Sequence, residues 1–148
     1  MNQVLLDKIS EELWGGGLNY CVFLKAYTVA AANLHQSAEL ISTALGEGAI
    51  VVDVVEVGVE SVVDTVKFSL LYAGDNSAGP SKEALESEVL AGMLGELLLE
   101  LRLLMAKATS VEAFALKAGH PFYPVFWDFA FIFRSASNAT IFIGASSD

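Results

Sequence analysis

The sequence predicts an α+β fold: several helices packed against one face of a small antiparallel sheet that ends in a C-terminal β-hairpin. Three observations predict it. From Trp127 to Arg134 apolar aromatics alternate with other residues, so Trp127, Phe129, Phe131 and Phe133 share one face of a strand. Ala139 to Ala145 follows after the polar turn Ser135 to Asn138 and completes a hairpin. Between Ser81 and Ala108 the apolar residues recur at helical spacing, with glutamates and a lysine off that stripe. A hairpin alone is marginal, so it demands further strands beside it. The alternative is a mostly helical bundle that carries the hairpin as an appendage or a dimer arm.

The elements follow in order. Residues 2–13 form a short amphipathic helix through Val4, Leu5, Ile9 and Leu13, and Gly15, Gly16 and Gly17 end it as a hinge or a close backbone approach. Tyr20, Leu24, Tyr27, Ala31, Leu34, Ala38, Ile41 and Leu45 step by four and three, which predicts a helix through 18–45. Residues 19–29 also suit a strand, but the periodicity favours the helix. Gly46 and Gly48 close it.

Residues 49–73 carry two conflicting signals. Dense valine favours strands. Asp53, Glu56, Glu60, Asp64 and Lys67 are spaced as a polar stripe on a helix. The hairpin's need for neighbours tips the reading to strands near 49–57 and 64–73. Asp75 to Pro80 is a loop, and Ser81 caps the long helix with Glu83 in its first turn. In that helix Leu85, Val89, Met93, Leu97, Leu101 and Leu104 are expected to face inward. Thr109 followed by Glu112 matches a capping box and predicts a second helix over 110–118, stopped at Gly119.

With 148 residues and no internal repeat, one domain is expected over residues 1–148. The chain is 54% hydrophobic and only 18% charged, with a mean hydropathy of +0.53. Every apolar run is nevertheless broken by charge or polarity before the roughly 18–20 residues that a bilayer span needs. The mixed charges from Met1 to Glu12 do not read as a signal peptide. The expectation is a cytoplasmic protein without membrane association, and a homo-oligomer that buries its apolar excess. Cys21 stands alone, as suits a reducing compartment, and reads as an inert buried thiol.

The net charge of −10 sets eight Lys and Arg against 18 Asp and Glu. Such a surface repels phosphate backbones and disfavours nucleic acid, while a basic protein is attracted. The candidate partner-binding residues are therefore the carboxylates Asp53, Glu56, Glu60 and Asp64. The same carboxylates, with Glu96, Glu100, His35 and Glu39, have the residue types of a di-metal bundle site, but the Glu-x-x-His signature is absent and no metal is predicted. His120, near Tyr123 and Asp128, has the chemistry of a general base, yet no nucleophile accompanies it and no catalytic residue is assigned. The glycine triplet lacks the spacing of a phosphate loop. Gly92 and Gly95 mark a close approach within the long helix. The aromatic face, Trp127, Phe129 and Phe131 with Tyr123 and His120, is either a core strand or the lining of an apolar-ligand pocket.

Function therefore reads as a non-enzymatic acidic protein-binding module without a cofactor, of the kind an inhibitor or immunity protein for a basic partner would be. The alternatives are a small apolar-ligand binder, and a metal or acid–base enzyme using His120 and the carboxylates.

Overall fold

The valine-rich run and the aromatic run meet in one five-stranded antiparallel sheet. The computed structural model describes residues 1–31, 36–75 and 77–148. Its strands are β1 (Cys21–Ala30), β2 (Ile50–Glu56), β3 (Ser110–Ala118), β4 (Trp127–Arg134) and β5 (Asn138–Ser147), in the order β1-β5-β4-β3-β2. The last four strands in the chain form a meander, and β1 closes its far side by pairing with β5 over its whole length. β1 and β2 are the two edges.

Helices cover both faces, where the sequence predicted one. The helices α1 (Gln3–Trp14), α3 (Val59–Leu70) and α5 (Glu88–Lys107) share the first face. Leu6, Ile9, Val62, Val66, Leu97 and Leu101 pack there against Leu24, Trp127, Phe129, Phe131, Phe133 and Phe142. On the second face α2 (Ser37–Leu45) sets Leu40 and Ile41 against Phe114, Ile132, Ile141 and Ile143. A single helical turn, α4 (Lys82–Leu85), precedes α5. Ser81 caps it through Ala84 N–H, and Ser87 caps α5 through Val89 N–H and Leu90 N–H, so the long predicted helix is broken between them. The inward face of α5 runs through Leu90, Leu97, Leu101 and Met105, which leaves Val89 exposed.

Three predicted elements are corrected. The helix over 18–45 is instead β1 followed by α2. Val22, Leu24 and Ala26 face one layer, while Phe23, Tyr27 and Val29 face the other. Burial on both faces removes the apolar–polar alternation by which a strand is recognised. The helix over 110–118 is β3, for the same reason. Its Glu112 does not fold back as a capping residue; it accepts from Ser37 Oγ and pairs with Arg134 at 3.3 Å. The strand over 64–73 is the helix α3, whose Val62, Val63, Val66 and Leu70 are buried at helical spacing. Tertiary packing overrides valine's modest helix propensity there. The strand near 49–57 is present as β2.

The glycine triplet is a close approach. Leu18 and Gly79 exchange backbone hydrogen bonds of 3.0 and 2.9 Å. A Cβ on Gly17 would lie 2.9 Å from Gly79 O, so the first helix can dock on this loop only through glycine.

Candidate functional site

The two edges of the sheet are finished differently. At β1 the side-chain amide of Gln3, in the first turn of α1, reaches the strand. Its Nε2 donates to Leu24 O at 3.0 Å, and its Oε1 accepts from Ala26 N–H at 3.2 Å. That amide occupies the place of a residue in a neighbouring strand, and it closes the middle of the edge.

At β2 no such cap exists among the described residues. Val57 N–H donates to Val111 O at 2.9 Å, in register with the pairs Val55↔Ala113 and Asp53↔Ala115. By the alternation of an antiparallel ladder, Val54 and Glu56 then turn their N–H and C=O groups to the free edge. Apart from Val51, which packs on the α2 side, the strand is largely exposed along its sides. Ile50, Val52, Val54 and Val55 are 52, 53, 42 and 59% exposed. Two register irregularities, between Ile50 and Asp53, interrupt its pairing with β3.

The charges at this edge are uncompensated. Val54 and Glu56 lie on the α2 side of the sheet, opposite Phe114 and Glu112, while Asp53 and Val55 lie on the other side. Glu56 therefore stands across from a second glutamate. Glu112 has Arg134 and Ser37; neither Glu56 nor Asp53 has an ion-pair partner among the described residues.

The remaining two predicted partner-binding residues stand elsewhere. Glu60 lies in the first turn of α3 and is gripped by Arg102 through bonds of 3.0 and 3.4 Å. The guanidinium's hydrogen bonds and charge hold the Glu60 carboxyl below the usual carboxylate range. Asp64 follows one turn later on α3. The four carboxylates are thus two pairs, on a strand and on a helix, separated at the N-cap Gly58. They do not form one helical stripe.

The aromatic set divides as well. Trp127, Phe129 and Phe131 are buried in the core, stacked with ring centroids 5.8 and 5.7 Å apart. Trp127 Nε1–H donates to Tyr20 Oη at 2.9 Å. None of the three rings lines the cleft or the groove described below. His120 and Tyr123 lie instead in the β3–β4 connection. β4 pairs with β3 only from Ser110 to Ala113, so the strands part beyond it and leave a cleft of about 500 Å³. Leu116, Lys117, His120, Tyr123 and Asp128 line it, and Tyr123 is 80% exposed.

The Nδ1 of His120 accepts from Phe122 N–H at 3.1 Å. Its Nε2 is buried with no partner, and Asp128 makes no hydrogen bond to the ring. Among the described residues no three His, Cys, Asp or Glu side chains come together as a metal-ligand group. His35 lies outside the described residues. No family model, curated protein or solved structure matches the chain.

A second apolar surface lies between α3 and α5. Leu71, Leu85, Leu90, Leu94 and Leu98 line a groove of about 280 Å³, with Gly95 in its floor. No described helix is long and apolar enough to cross a membrane.

The charge pattern singles out Asp53 and Glu56 but not the free sheet edge on which they lie. Strand order is a property of the assembled sheet, and nothing local in the Val-rich run marks it as an edge. Gln3 was missed for a similar reason. A glutamine in the first turn of a helix is ordinary until the strand beside it is known.

Proposed function

We propose that the protein is a non-enzymatic binding module that captures a basic partner protein on β2, as an inhibitor or immunity-type protein would. The observation that carries this reading is the contrast between the two sheet edges. One is closed by a dedicated side chain; the other is apolar, uncapped and flanked by two unpaired carboxylates. Soluble proteins commonly blunt an edge of this kind with lysine, proline or a covering element. Here the flanking charge is negative and repeats the sign of the whole chain, which steers a cationic surface toward it.

The test is affinity capture from the native host's lysate with the tagged protein and with its Asp53→Lys/Glu56→Lys variant, each washed at rising salt. The reading expects one basic protein, retained in stoichiometric amount by the unaltered protein, lost from the variant and released as salt rises. Equal retention by both proteins refutes it.

A homo-oligomer, expected from the apolar excess, would close over the α3–α5 groove with the exposed Leu99 and Leu103 of α5. Sedimentation velocity over a wide concentration range reads it directly, and a monomer throughout refutes it.

A further inference from the structure

We infer that the partner binds β2 as an added strand, through an extended segment in which two basic residues flank two apolar ones. The inference rests on the proposed capture of a basic partner at this edge, and it specifies how the capture is made.

The backbone is the first argument. The outward N–H and C=O groups of Val54 and Glu56 form the hydrogen-bonding half of a ladder, and no described group completes it. An extended peptide completes such an edge with main-chain bonds, while alternate side chains supply specificity. At β1 the Gln3 amide already fills the equivalent position, so addition is directed to one side of the sheet.

The side chains then dictate the pattern. β2 reads Asp53-Val54-Val55-Glu56, and successive residues point to opposite faces. A paired strand places a residue directly opposite each of them. A cation opposite Asp53 on one face and another opposite Glu56 on the second face must therefore be three residues apart. The two residues between them meet Val54 and Val55 and are apolar. The pattern reads the same in both directions, so it holds for either orientation of the added strand.

A second copy of this chain is a poor occupant. Two-fold pairing of β2 with itself would set four carboxylates along one ribbon, between molecules that each carry a net charge of −10. Like charges that close across a ladder are destabilising.

The probe is a blocked peptide with lysine–valine–valine–lysine at its centre and threonines at its ends. It is titrated to millimolar concentration into the isotopically labelled protein and followed by NMR and amide exchange. The control is the same composition rearranged to lysine–valine–lysine–valine, which puts both lysines on one face. The expected result is slowed exchange at the Val54 and Glu56 amides, with binding at least about tenfold weaker for the control peptide and for Asp53→Lys/Glu56→Lys. Val54→Pro removes an outward donor at an edge that tolerates proline and leaves both carboxylates in place. It is expected to weaken binding by about tenfold, as loss of one or two main-chain bonds implies.

Failure of the first peptide to bind overturns the inference. So does binding that leaves the Val54 and Glu56 amides unprotected; in that case capture by charge survives and strand addition does not. Protection of the same amides without peptide, growing with protein concentration, replaces the partner by a second copy and also overturns it. Loss of the lysate partner's dependence on Asp53 and Glu56 is a separate result, and it removes the underlying reading instead.

Discussion

The Gln3 cap makes the clearest prediction about how this sheet is kept from pairing at random. Gln3→Ala removes the two hydrogen bonds to the strand, of 3.0 and 3.2 Å, to Leu24 O and Ala26 N–H, and an exposed one of 2.8 Å to Asp7 Oδ1 that water replaces. Each such bond contributes about 0.5–1.5 kcal/mol net. The site is partly buried, so water replaces part of the loss, and the expected cost is about 1–2 kcal/mol. For a chain of this size that lowers Tm by roughly 2–8 °C, at about 2–4 °C per kcal/mol. Stability alone does not prove the cap. The specific readout is the Ala26 amide, which should exchange faster by about tenfold once its acceptor is gone. Gln3→Glu separates the two bonds. A carboxylate still accepts from Ala26 N–H but cannot donate to Leu24 O. That variant should keep Ala26 protected while still losing stability. Unchanged Ala26 exchange in Gln3→Ala would mean that the packing of α1, and not its amide, closes the edge; the contrast with β2 would then lose its basis.

Other predictions concern the core, the alkaline limb and self-pairing. Gly144 lies directly across from Phe129, and a Cβ there would run into the ring. Phe129 is hemmed in by Trp127, Phe131 and Phe142, so Gly144→Ala should cost about 1–3 kcal/mol in urea denaturation and alter the near-UV signal of the aromatic stack. Tyr20→Phe strips the acceptor from the buried Trp127 N–H and should cost about 1–3 kcal/mol, with a shift in tryptophan emission; unchanged stability and emission would refute it. Burial holds the Tyr20 hydroxyl above its ordinary value of 10.0. The unfolded chain then ionises first, so the stability from the neutral hydroxyl is present below pH 10.0 and is lost as pH rises through the higher folded value. Tyr20→Phe should flatten that alkaline fall, measured as midpoint against pH. Finally, Asp53→Asn/Glu56→Gln removes the repulsion across β2 without blocking its backbone. Sedimentation should then show concentration-dependent association beyond that of the unaltered protein, and unchanged sedimentation would show that charge is not what keeps β2 single.

The parts of this fold that can be read in the sequence are those with one distinctive face or a distinctive stop. The β4–β5 hairpin is legible because the aromatic alternation ends in a polar turn, where Ser135 N–H donates to Asn138 O at 2.8 Å. The first helix and α5 are legible through their apolar stripes. β1 and β3 are not, because each is packed on both faces, and apolar residues on both faces mimic helical spacing. α3 is hidden by its valines, which local propensity assigns to strand until three layers of packing decide otherwise. For the candidate site, charge groups Asp53 and Glu56 with Glu60 and Asp64 as one stripe, although the first two lie on a strand and the others on a helix. The structure divides the four by giving Glu60 its own arginine.

On the proposed reading, the two β2 carboxylates do opposite things to two kinds of strand. A sheet edge must be withheld from copies of itself at cellular concentration, yet a binding edge must stay open. Covering β2 with a helix, or breaking it with proline, would achieve the first and forfeit the second. Asp53 and Glu56 on opposite faces would achieve both, because an identical acidic strand would be repelled from either side and a basic one attracted from either side. The juxtaposition of Glu56 with Glu112 sharpens this. Arg134 and Ser37 satisfy the inner glutamate and leave the outer one as the charge that faces an incoming chain. Neutral substitution and charge reversal should accordingly have different outcomes at the same two positions: the first releases self-pairing, and the second abolishes capture while opening the edge to acidic segments instead.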